Sequence, residues 1–240
     1  MPAMAPISRR NTLWGRAVMG NTARAQALPA PDDTGSEAFS PDPLRTPSLA
    51  GIASDTTARD VIMLIRHAEK PTGTLPPVGI TADGTPSAGS LTVTGWTRAG
   101  ALVALFAPPY GDPPPGLWRP TTIWAADPRE GAGQRPWQTV RPLAARLGIT
   151  VETRFGKAQA SDLAAALRDA HGIALVAWQH EEIPTIVAHL GNVTPLPPTQ
   201  WPEERFDLVW VFTRTDTGWA FSQVPQLLLV GDRNEVITGS

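Results

Sequence analysis

Five residues in a row, Arg66-His67-Ala68-Glu69-Lys70, follow directly on the apolar run Val61-Ile62-Met63-Leu64-Ile65. A phosphoryl group in transfer needs an in-line nucleophile, cationic donors on its equatorial oxygens and an acid for the leaving oxygen. Neutral imidazole can attack phosphorus and carry the group as phosphohistidine, and guanidinium binds phosphate oxygens through paired, charge-assisted hydrogen bonds. The cluster therefore combines a nucleophile, His67, with cations on either side. Alone, five such residues read more readily as a solvated charged turn. A second histidine, His180, closes another apolar run in the order Gln179-His180-Glu181.

The elements around these residues give them a common address. Val61–Ile65 has the uninterrupted apolar character of a strand buried on both faces of a parallel sheet. Thr92 to Phe106 reads as a helix with Trp96, Ala99, Leu102, Val103 and Phe106 on one face, stopped by Pro108 and Pro109. A strand is expected at 121–126, then a helix from Pro136 to Leu147 ended by Gly148 in a left-handed cap. Ser161 is placed to cap a further helix that Gly172 terminates. A third strand covers Ile173 to Trp178, and EEIPTIVAHL is helical with Pro184 in its first turn. Phe206–Thr213 and Gly218–Val224 read as a hairpin-like pair of strands. This alternation predicts an α/β fold of three layers, α/β/α, around a mostly parallel sheet. Ligands of such sheets bind beyond the carboxyl ends of the strands, where His67 and His180 both fall.

Composition narrows the chemistry. The 240-residue chain is 42% hydrophobic and 18% charged, enough for one sizeable core. A formal net charge of -2 gives no field for gathering nucleic acid, so affinity for an anion has to come from a local cluster. The absence of cysteine excludes disulfides, thiolate metal sites and cysteine nucleophiles. His180-Glu181-Glu182-Ile183-Pro184 lacks the second histidine of a zinc protease motif, and GTPSAGS and GAG lack the lysine of a nucleotide-binding loop. No metal or other cofactor is expected. His171 and His189 lie near helix ends and read as structural or surface residues. Most of the nine tryptophans read as core, with Trp178 the one placed to border a pocket.

Taken in order, LIRHAEKP, LTVTGWTRAG, RPWQTVRPLAARLGI and ALVAWQHEEIP resemble the histidine phosphatase superfamily, which includes phosphoglycerate mutases and acid phosphatases. The resemblance spans about Val61 to Leu190, and WPEERFDLVWVF also fits it. It implies a phosphoglycerate mutase-like fold with His67 as nucleophile and Arg66, Arg135 and His180 as phosphate ligands. Arg129 and Arg141 are alternatives to Arg135, because the serine usual before the second arginine is missing. Lys70 stands where the acid phosphatase branch has a further arginine and would bind phosphate as a point charge. Ala68 replaces the usual glycine. Glu181, directly after the second histidine, maps to the leaving-group acid, with Glu69, Asp83 and Glu182 as alternatives.

The implied activity is metal-independent hydrolysis of small phosphomonoesters through a phosphohistidine on His67. The alternatives are a phospholigand-binding protein of the same fold and a phosphomutase. No membrane span is expected. Residues 58–232 are assigned to the catalytic domain and 233–240 to a tail. In residues 1–57, Ser8-Arg9-Arg10, a short apolar stretch and Ala25-Gln26-Ala27 follow the order of a twin-arginine export signal, and a Pro-rich linker comes after them. A cytoplasmic location is the competing expectation.

Overall fold

A computed structural model describes residues 59–73, 76–129 and 133–239, all within the unit formed by residues 54–240. The expected export signal and linker lie outside the described residues. Seven strands form one sheet: β1 (Val61–Arg66), β2 (Thr122–Ala125), β3 (Val151–Glu152), β4 (Ile173–Trp178), β5 (Val193–Thr194), β6 (Leu208–Thr215) and β7 (Gly218–Pro225). Four helices accompany them: α1 (Val93–Phe106), α2 (Gln134–Leu147), α3 (Ala160–Asp169) and α4 (Ile183–Ala188). The strand order is β3-β2-β4-β1-β6-β7-β5. The sheet is mostly parallel, with β6 antiparallel to both β1 and β7.

Strand β1 is buried along its whole length, which is why it carries no polar alternation. Its side chains divide by parity. Ile62 and Leu64 join a buried cluster with Leu163 and Leu167 of α3 and Ile183 and Ile186 of α4. Val61, Met63 and Ile65 join a separate cluster with Leu102 and Phe106 of α1 and Val140 and Leu143 of α2. Parallel pairing aligns Arg66 with Trp178, and the His67 amide donates to the Trp178 carbonyl at 2.9 Å, so β1 and β4 end side by side. Since β6 runs the other way, with Val209 opposite Ile65, the residues that precede β6 arrive at the same edge.

Several expected boundaries shift. Helix α1 begins after Thr92, whose hydroxyl accepts the Gly95 amide, and Gly148 ends α2 with φ 68° as anticipated. Ser161 does not cap α3. The chain turns helical at Ala160, and the Gln159 side chain folds back to accept the Gly156 amide at 2.9 Å. The helix also stops at Asp169, before Gly172. Phe206 lies outside β6, because Asp207 binds both the Arg205 guanidinium and the Arg233 amide at 2.7 Å and holds this stretch as a loop. The two-residue strands β3 and β5 have no pattern to announce them. Residues 233–239 are fastened to the sheet: the Glu235 carbonyl accepts from Arg205 at 2.8 Å, and Ile237 exchanges hydrogen bonds with Gln223. Among the described residues, no helix is long and apolar enough to cross a membrane.

Candidate active site

At the carboxyl edge of β1, His67 is 3% exposed. Its Nδ1 lies 2.7 Å from the Ala68 carbonyl, a contact that requires the ring proton on Nδ1 and leaves Nε2 with its lone pair. Burial lowers the imidazole pKa to about 3, with the charges of Arg66, Arg135 and Lys70 adding to it against the opposing pull of the Ala68 carbonyl. The ring is therefore neutral, as a nucleophile must be.

Arg66 is 1% exposed. Its Nη1 donates to the Glu203 carbonyl, and its guanidinium carbon sits 3.9 Å from the centroid of the Phe206 ring. Burial draws its pKa down to about 10, so it stays charged at neutral pH. Its Nε and Nη2 are buried with no acceptor within reach among the described residues. The same holds for Nε of Arg135, whose Nη2 donates to the Ala88 carbonyl at 2.7 Å. Buried donors of this kind are nearly always satisfied, and a cation most of all. Three buried N–H groups on two arginines thus have no acceptor among the described residues.

Further charged groups lie close to Arg66 and His67. Lys70 Nζ is 3.1 Å from Glu203 Oε1. His180, immediately beyond β4, is mostly buried, and burial together with Arg66 lowers its pKa against the opposite effect of Glu181. Its Nδ1 lies 2.8 Å from Glu181 Oε2, while Glu181 Oε1 is 2.7 Å from Lys157 Nζ. Burial raises the Glu181 pKa, but the Lys157 hydrogen bond, its own backbone amide and the charges of His180 and Lys157 prevail and hold it at about 2. Glu181 is thus a carboxylate here, the wrong form for an acid.

The structure brings Arg66, His67, Lys70, Arg135, His180 and Glu181 into one electrostatic neighbourhood. Arg129 is instead exposed and bound to Asp127 at 2.6 Å, and Arg141 lies 5.0 Å from the Trp137 ring. Among the alternative acids, Glu69 is paired with the buried Arg98 at 2.8 Å, Asp83 accepts from Thr81 in an exposed turn, and Glu182 stands at the start of α4. His171 pairs with Asp60 at 3.0 Å, and His189 closes α4 with Nδ1 2.8 Å from the Thr185 carbonyl. Trp178 is buried within the core.

Four contributors escaped the sequence reading. Thr139, fully buried, accepts the Ala68 amide and donates to the Arg135 carbonyl, both at 2.8 Å; its position four residues after Arg135 was the available signal. Phe206 falls within WPEERFDLVWVF but no role could be read for it there, and Lys157 carried no motif. Arg98 binds Glu69 and Asp232 together, the latter at 2.6 Å, and links the nucleophile loop to the C-terminal segment. Beside the site lies a cleft of about 580 Å3 lined by Lys70, Pro71, Thr72, Glu203, Glu204 and Phe206. Among the described residues, no group of three or more acidic or histidine side chains is placed to hold a metal ion.

No family model and no curated protein matches this sequence. Solved structures do resemble it. The protein histidine phosphatase SixA complexed with tungstate is 13% identical, with 69% of this chain and 97% of that one covered at a TM-score of 0.44. A mycobacterial glucosyl-3-phosphoglycerate phosphatase is 15% identical over 68% of this chain and 97% of its own, TM-score 0.43. Phosphoserine phosphatase from Entamoeba histolytica, in complex with 3-phosphoglyceric acid, is 14% identical over 68% and 94%, TM-score 0.41. At these values neither family nor activity follows from the likeness.

Proposed function

We propose that this protein is a metal-independent phosphomonoester hydrolase of the histidine phosphatase type. The carrying observation is a buried, neutral His67 whose Nε2 keeps its lone pair, next to buried arginine N–H groups that have no acceptor among the described residues. In the proposed reaction, Nε2 attacks phosphorus as the ester P–O bond breaks, and Glu181, once protonated, gives its proton to the departing alkoxide. Water then attacks the phosphohistidine, the P–N bond breaks, and the water's proton returns to Glu181. Arg66, Arg135, His180 and Lys70 hold the phosphoryl oxygens, and the leaving group faces the cleft beside Phe206. The catalytic domain spans 58–232 in a three-layer, phosphoglycerate mutase-like arrangement, which the separate core clusters on the two sides of β1 support.

One observation favours a second reading. With Glu181 held as a carboxylate by Lys157, the leaving oxygen has no proton source there, as in a protein that binds a phospholigand without cleaving it. Hydrolysis of an aryl phosphate in chelator by wild type and His67→Ala separates the two. Turnover by wild type alone supports the hydrolase; phosphate-competitive binding without turnover supports the binding protein.

A further inference from the structure

Lys157 lies on the loop before α3, far in sequence from every phosphate ligand, yet its ammonium contacts Glu181 at 2.7 Å. The other Glu181 oxygen approaches His180 Nδ1 to 2.8 Å without a hydrogen bond forming, so Lys157 is the side chain that holds the carboxylate, beside His180. We propose, on the basis of the hydrolase reading above, that Lys157 is a positioning residue for leaving-group protonation: it clamps Glu181 as the carboxylate against His180, and Glu181 becomes the acid only when that clamp opens.

The groups facing Glu181 come from every neighbouring element: Lys157 before α3, His180 after β4, and at longer range Arg66 from β1 and Arg135 from α2. All are cationic or able to become so, and all favour the carboxylate. A phosphoryl dianion bound to Arg66 and Arg135 would cancel much of that field and draw Lys157 away from Glu181. Lys157 is a third exposed and at the rim of the site, where a four-carbon stem lets the ammonium swing without disturbing the core.

The decisive experiment pairs a titration with kinetics. The Glu181 carboxyl is followed by NMR against pH in the free wild type, Lys157→Met and Lys157→Arg, and kcat/KM is measured for an alkyl and a nitrophenyl phosphate. In Lys157→Met the carboxyl midpoint should rise toward that of an ordinary glutamate. The high-pH limb of kcat/KM for the alkyl phosphate should move up with it, giving about tenfold or more at pH 5. The nitrophenyl ester, whose leaving group needs no proton, should show no such shift, and Lys157→Arg should restore the wild-type profile. An unchanged midpoint in Lys157→Met, or an equal shift of both substrates' profiles, overturns the proposal. If no phosphomonoester is hydrolysed, the hydrolase reading and the catalytic part of the proposal fail, and the titration alone still decides whether Lys157 clamps Glu181.

Discussion

Thr139 and Ala68, 71 residues apart in the chain, meet in a 2.8 Å hydrogen bond that joins α2 to the loop carrying His67. Because the same hydroxyl donates to the carbonyl of Arg135, one side chain fixes the nucleophile loop relative to the second arginine. Thr139→Val keeps the shape and removes the acceptor, leaving the Ala68 amide buried and unpaired. It should cost about 1–3 kcal/mol in denaturant unfolding and lower turnover of an aryl phosphate, while Thr139→Ser should retain most of both.

Arg135 provides a test of transition-state binding. Arg135→Ala should reduce kcat by about 10²–10³ if its guanidinium serves the developing charge. Arg135→Lys should recover only part of this, since lysine brings the charge without the planar fork. Steady-state kinetics on the two variants, with Arg141→Ala as a control that retains wild-type rates, check the assignment.

Much of this arrangement can be read from the residues. The apolar continuity of Val61–Ile65 and Ile173–Trp178 identifies the two strands whose ends carry His67 and His180, because runs this short that end abruptly in polar residues are too brief for a buried helix. What cannot be read is what arrives from elsewhere in the fold. Phe206 reaches Arg66 because β6 is antiparallel to β1, a pairing no local pattern encodes. Lys157 meets Glu181 only through the packing of the loop before α3. Ser161 looked like a cap because serine favours that position, but Gln159 and its turn with Gly156 start the helix earlier.

Acid should destabilise the protein through His67. In the folded state the ring stays neutral down to about pH 3, whereas in the unfolded chain it takes up a proton near its ordinary value of 6.5. Between these values the unfolded chain holds the extra proton, so stability falls as pH falls through that window and the contribution is flat outside it. Glu181 acts in the same sense between 4.5 and about 2. Denaturant unfolding at pH 7 and pH 5 should therefore show a loss that is smaller in His67→Gln, by up to about 1.4 kcal/mol per pH unit.

Arg98 is 3% exposed and is shared by Glu69, Gln226 and Asp232. Arg98→Ala would take the buried cation from two half-buried carboxylates, Glu69 and Asp232, a loss of about 3 kcal/mol. Arg98→Lys should fall between, because lysine cannot engage both carboxylates in planar fashion. Thermal unfolding of the three proteins measures the series.

The Arg98 bridge also bears on how the protein is made. Its contacts reach back 29 residues to Glu69 and forward 134 residues to Asp232. Because Asp232 is translated 134 residues after Arg98, the full Arg98 bridge cannot form until that late segment has been made. The site is thus completed from its C-terminal side, and a nascent chain stalled before Asp232 should hold the sequence of the nucleophile loop without its settled geometry.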